Sequence, residues 1–154
     1  MVRFMRELLP EERKWLARAV VGIILADGVV EKDQVVFMKK LFKVFDSQES
    51  RETLEEVVGL LKEKKIPKIG ELKVSGVEHQ IYILDILSAA VFANGKKLRQ
   101  ETDVYFEAGK KLGIGPGTLS YRISLEAEKF RVERKLRLIE EDIREKFGFL
   151  DLKS

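Results

Sequence analysis

Four polar residues lie at matching positions in two similar stretches of this chain, and their side-chain oxygens are of the kind that binds a hard cation. They are Asp27, Gln34, Asn94 and Glu101. Carboxylate and amide oxygens are ligands of Ca²⁺ and Mg²⁺. If the two stretches pack about a twofold axis, two carboxylates and two amides converge, and their two negative charges form a weak site. In the structural alternative, Asp27 and Asn94 satisfy backbone groups at turns, while Gln34 and Glu101 cap the helices that follow.

The two stretches are copies of one helical unit. Ile24-Leu25-Ala26-Asp27-Gly28 returns as Val91-Phe92-Ala93-Asn94-Gly95, and the alignment at this offset also places Trp15 on Tyr82. Each copy has an apolar run of helical period that stops at a glycine, which takes the positive φ of a helix end at little cost. Repeats of this length are typical of duplicated units packed on one another. We therefore predict an all-α fold of about six to seven helices, with halves at about 10–46 and 78–113 and a packed linker at 66–77. The second helix of the first half is expected to bury one apolar face, formed by Val36, Phe37, Leu41 and Phe45 or a similar set.

The pattern resembles a divergent member of the TerB-like family, named after the tellurite-resistance protein TerB. The resemblance covers about residues 10–130 and rests on Ala26-Asp27-Gly28, the polar residue six positions later, the amphipathic helix after it, and a second copy ending in Lys111-Leu112-Gly113-Ile114. It implies an all-helical duplicated domain and a role linked to stress or tellurite resistance. Acidic residues of that family have been proposed to bind metal. They correspond to the four residues above, of which two are amides here.

Composition narrows the classes of function. The 154 residues fit one domain, and the absence of Cys removes disulfides, thiolate zinc sites and Cys nucleophiles. The 29 basic and 26 acidic residues are spread evenly, which argues against a nucleic-acid binder. The sequence has neither a membrane-spanning apolar run nor a signal peptide, so we expect a cytoplasmic protein. Its high Lys, Arg and Glu content resembles that of thermophile proteins.

Catalytic motifs do not stand out. The single His, His79, begins the second copy and is interpreted as a surface or capping residue. Gly113-Ile-Gly-Pro-Gly117 follows a helix rather than a strand, so we interpret it as a turn, after which Thr118 caps the last helix. We therefore expect a protein that is not an enzyme and has no cofactor, with Ca²⁺ or Mg²⁺ as the candidate ligands.

The last helix carries two apolar faces. One face has Leu119, Ile123, Ala127 and Phe130. The other, a candidate interface, has Leu125, Val132, Leu136, Ile139, Ile143 and Phe147. At about 100° per residue the faces point roughly 150–160° apart, so one straight helix cannot bury both against one core. We predict a domain at 1–130 and a helical extension at 131–154. The extension either bends back near Phe130 or offers its stripe to a protein partner or a second copy.

The charges of this extension leave two interpretations open. Basic residues at 129–137 precede acidic residues at 140–145, so two antiparallel copies would place opposite charges together. The alternative is pairing within the helix, for which Glu133 with Arg137 and Arg137 with Glu141 have the required spacing. The sequence thus favours a non-enzymatic interaction or scaffold domain, with a divalent-cation module as the alternative.

Overall fold

The computed structural model describes residues 8–42, 48–93, 95 and 99–151, and all regular structure in this part of the chain is helical. The predicted all-α fold is confirmed. The described helices are α1 Pro10–Leu25, α2 Lys32–Phe42, α3 Gln48–Glu63, α4 Val77–Val91, α5 Arg99–Lys111 and α6 Pro116–Asp151.

Helix α1 is the centre of the core. It packs against α3, α4 and α5, while α6 packs against α4 and α5. Every residue from Ala19 to Leu25 is buried. A helix that is apolar on all sides is stable only when other elements surround it. The second half of α1 has this composition, which explains its central place.

The two copies end their first helix with the same turn. Gly28 and Gly95 both have a φ of 77°. The Gly28 amide donates to the Leu25 carbonyl at 2.9 Å, and the Gly95 amide donates to the equivalent Phe92 carbonyl at 3.0 Å. The left-handed φ explains why glycine recurs at this position.

The buried face of α2 differs in part from the face that the spacing predicts. Gln34, Met38 and Phe42 are buried. Val36 was expected in the core but is 43% exposed, because it lies two residues from Met38 and therefore on the opposite side of the helix. Phe45, which was expected beside it, lies outside the described residues.

The linker between the copies packs on the domain as predicted, except at its start. The Trp15 indole donates to the Gly70 carbonyl at 2.7 Å. Ile69 is buried, and Leu72 and Val74 are partly buried against the core. Ile66 is exposed instead. Trp15 thus fixes the middle of a segment that has no regular structure of its own.

The last helix begins earlier than expected, so the interpretation of Thr118 as its cap is wrong. Helix α6 starts at Pro116, and the Leu119 amide donates to the Gly115 carbonyl at 3.1 Å. Proline suits the first helical turn because its missing N–H would have no partner there. In the described part of the chain, no helix combines the length and apolar character needed to cross a membrane.

Candidate functional site

Two of the four candidate cation ligands meet across the repeat. The Gln34 side-chain amide donates from Nε2 to Oε2 of Glu101 at 3.3 Å, and both residues are fully buried. The Gln34 Oε1 atom accepts the Glu31 backbone N–H at 2.8 Å. Gln34 therefore caps the start of α2 with its oxygen and binds the second copy with its nitrogen.

The other two candidates are placed differently. Asp27 Oδ1 accepts the Val29 backbone N–H at 3.0 Å, so this carboxylate supports the turn that contains Gly28. Asn94 lies outside the described residues. The structure therefore brings Gln34 and Glu101 together and gives Asp27 a local backbone partner. Within the described ranges, no group of three or more His, Cys, Asp or Glu side chains is arranged to hold a metal ion.

A second polar cluster, formed by Glu12, Ser75 and His79, was missed at the sequence level. The Nδ1 atom of His79 lies 3.0 Å from Glu12 Oε1 and 2.7 Å from Ser75 Oγ. Glu12 also accepts the backbone N–H groups of Leu9 at 2.8 Å and Ser75 at 3.0 Å. The cluster joins the start of α1, the linker and the start of α4. The clue in the sequence was the offset, since Glu12 and His79 are 67 residues apart, as are Gln34 and Glu101.

Burial and hydrogen bonding act in opposite directions on Glu12. Burial alone raises the pKa of its carboxyl group, but the N–H groups of Leu9 and Ser75 and the His79 ring together lower that pKa below its ordinary value. The carboxylate is thus held in its charged form. In a catalytic Ser–His–Asp triad the serine and the carboxylate bind different nitrogens of the imidazole ring. Here Ser75 and Glu12 both contact Nδ1 of His79, an arrangement that links segments of the fold.

A third cluster anchors the first half of α6. Arg122 bridges Asp85 of α4 at 2.7 Å and Glu126 of its own helix at 3.0 Å. Beside it, the Tyr105 hydroxyl donates to the Leu119 carbonyl at 2.9 Å, and burial raises the pKa of Tyr105 to about 12. These contacts link α4, α5 and α6 at the point where the last helix lies on the domain.

The packing of α6 on the domain ends at Phe130. Leu119 and Ile123 are buried, Ala127 is partly buried, and the Phe130 ring stacks on Phe92 with centroids 5.4 Å apart. The helix continues without a break to Asp151, and every residue from 131 to 147 is exposed. We call residues 131–147 the arm. The helix therefore does not bend back at Phe130.

An apolar stripe runs along one face of α6 from Leu125 into the arm, and the described part of this chain does not cover it. Its six members are between 46% and 59% exposed: Leu125, Val132, Leu136, Ile139, Ile143 and Phe147. Leu125 belongs to it although its neighbour Ile123 is buried, because the two side chains point to different sides of α6. The stripe faces away from the domain, so a partner helix can reach it along its whole length.

The ion pairs of the last helix differ from those that the spacing predicts. Among the described residues from 128 onward, the acidic and basic side chains within 4 Å of each other are Arg131 with Glu128 and Lys146 with Asp142. The expected pairs Glu133–Arg137 and Arg137–Glu141 do not form there. Several charges of the arm are therefore available to a partner.

An apolar groove lies between α2 and α3. It has a volume of about 310 Å³ and is lined mainly by Val35, Met38, Phe42, Val57 and Leu61. It is a second surface on which an apolar side chain can dock.

Comparisons of this chain with protein-family models, with curated proteins and with solved structures gave no match.

Proposed function

We propose that this chain is a non-enzymatic, TerB-like helical module that works in the cytoplasm by holding another protein on its arm. The observation that carries this proposal is the stripe. Six large apolar side chains on one face of a continuous helix are about half exposed, and five of them lie in the arm, beyond the domain. Contiguous apolar surface of this kind marks interaction sites, since water contact with it is unfavourable.

Other features support the TerB-like and non-enzymatic parts of the proposal. The copies share their glycine turns and meet at Gln34 and Glu101, in keeping with a duplicated helical domain. The Glu12–Ser75–His79 and Asp85–Arg122–Glu126 clusters each join different elements of the core. A link to stress or tellurite resistance follows from the resemblance alone.

Site-specific photocrosslinking tests the proposal. A photoreactive phenylalanine analogue replaces Leu136, on the stripe, or Leu138, which is similarly exposed but lies about 140° around the helix from the stripe. We expect irradiation of cells that contain the full chain to give a protein adduct at position 136 and little at 138. Equal adducts at both positions, or none at 136, would overturn the proposal.

A divalent-cation module is the second candidate, and the Gln34–Glu101 contact is the observation that favours it. It places one carboxylate and one amide from equivalent positions side by side in the core. Binding to the folded state raises the melting temperature with ligand concentration. Millimolar Ca²⁺ or Mg²⁺ should then stabilise the full chain but have little effect on Glu101→Gln. Equal responses of both proteins would count against this candidate.

A further inference from the structure

We infer that the partner held by the arm is a second copy of this chain, lying antiparallel. This inference rests on the proposed function, because it names the occupant of the same stripe. Two features of the arm support it: the spacing of its apolar residues and the distribution of its charged residues along the helix.

The stripe is complementary to itself when one copy is reversed. We consider the antiparallel register in which the numbers of two facing residues add up to 275. In this register Val132 lies against Ile143 of the second copy, and Leu136 lies against Ile139 of the second copy. Each pair occurs twice, giving four consecutive apolar layers with spacings of 4, 3 and 4 residues. This alternation of 3 and 4 is the spacing by which two helices interlock their side chains. All four residues are about half exposed and therefore available.

The charges favour the antiparallel orientation. Residues 129–138 contain five basic and one acidic residue, a net charge of +4, and residues 139–147 contain two basic and four acidic residues, a net charge of −2. Antiparallel pairing places each basic half beside the acidic half of the other copy. Parallel pairing would place +4 against +4 at a separation of about 8–10 Å, which is close to the screening length of about 8 Å at physiological salt, so part of the repulsion remains.

The place where the arm leaves the domain fits the same arrangement. With this register, residue 145 lies opposite residue 130 of the second copy, where that helix leaves its own core. The tip of each arm thus reaches the other domain. The exposed Leu125 continues the stripe onto that domain and extends the contact beyond the two arms.

Spin-label distances test the inference, and the absence of native cysteine allows single labels. The labels are attached at Leu138→Cys and, separately, at Glu145→Cys, two exposed positions that both point away from the stripe. For helices about 10 Å apart, the backbone distance between the copies at position 138 is about 14 Å in either orientation. At position 145 it is about 14 Å for parallel arms and about 26 Å for antiparallel arms.

The expected result is a short distance at 138 and a distance longer by about 12 Å at 145. Equal distances at the two positions would overturn the antiparallel arrangement. A purified chain with no dipolar coupling at either position would overturn the second copy as partner. A photocrosslink from position 136 to a different protein would then still support the proposed function, so the two failures are distinguishable. A crosslink to the α2–α3 groove of a second copy would also overturn the inference.

Discussion

Gln34 donates a hydrogen bond to Glu101 at 3.3 Å, and the two residues hold the same position in the two copies of the repeat. Both are fully buried. A buried carboxylate is stabilised by the hydrogen bonds that it accepts, and a carboxamide opposite it avoids the repulsion between two carboxylates. The amide at position 34 is therefore the complement of the acid at position 101.

The first prediction concerns that complement. Gln34→Glu would place two carboxylates next to each other in the core, and we expect it to lower the free energy of unfolding at pH 7 by about 3–5 kcal/mol, the scale for an uncompensated buried charge. Denaturant unfolding measures the loss. Gln34→Met is the control of similar shape and should cost less, about 1–3 kcal/mol, because it removes hydrogen bonds without adding charge. Equal losses in the two variants would contradict this electrostatic interpretation.

The second prediction concerns Glu12 and acid. Hydrogen bonds lower the pKa of the Glu12 carboxyl group in the folded state. In the unfolded chain this pKa has its ordinary value of about 4.3, so at pH values between the two pKa values the unfolded state binds more protons. The resulting stability is complete above the unfolded-state pKa and is lost as the pH falls through the folded-state pKa. We expect Glu12→Gln to flatten the acid limb of a plot of unfolding free energy against pH.

The control for this experiment is Glu11→Gln, which neutralises the neighbouring exposed carboxylate in the same helical turn. It should leave the acid limb almost unchanged. An acid limb as steep in Glu12→Gln as in the parent chain would show that Glu12 is not a source of the acid sensitivity.

The third prediction compares two helical glycines. A Cβ atom at Gly109 would lie 2.3 Å from Leu119 Cδ2, whereas one at Gly59 would meet nothing within 4 Å. Gly109→Ala should therefore overpack the contact of α5 with α6 and cost about 1–3 kcal/mol. Gly59→Ala should gain about 0.5–1 kcal/mol, because alanine loses less backbone entropy in a helix. Thermal unfolding measures both, and a stabilised Gly109→Ala would mean that Leu119 yields without cost.

The repeat predicted much of this fold. The period of 3.6 residues locates the helices, and the glycines mark their ends, because few other residues accept a φ of 77°. The offset of 67 also gives Gln34 and Glu101 equivalent positions in the two copies. Thr118 was misplaced as a cap because Gly115 and Pro116 already start the helix, and Val36 was misplaced in the core because Gln34 takes a buried position on α2.

Contacts across the fold were harder to predict. Nothing local in the sequence shows that Ser75 in the linker reaches both Glu12 and His79, since such contacts depend on how helices cross. The two faces of the last helix were visible in its periodicity. Its unbroken course past Phe130 was not, because a straight and a bent helix have the same apolar pattern.

The most direct test of the arm as an interaction surface is the solution mass of the full chain, compared with Leu136→Glu and Leu138→Glu across a range of concentrations. Burial of one leucine contributes about 1.5–3 kcal/mol, and a symmetric dimer contains the substitution twice, so Leu136→Glu should weaken association about 10²–10⁴-fold. Leu138→Glu should associate like the parent chain, and all three should unfold alike as monomers. If all three proteins have the same mass and only Leu136→Glu is destabilised, the stripe packs against its own chain and not against a partner, which would contradict this account.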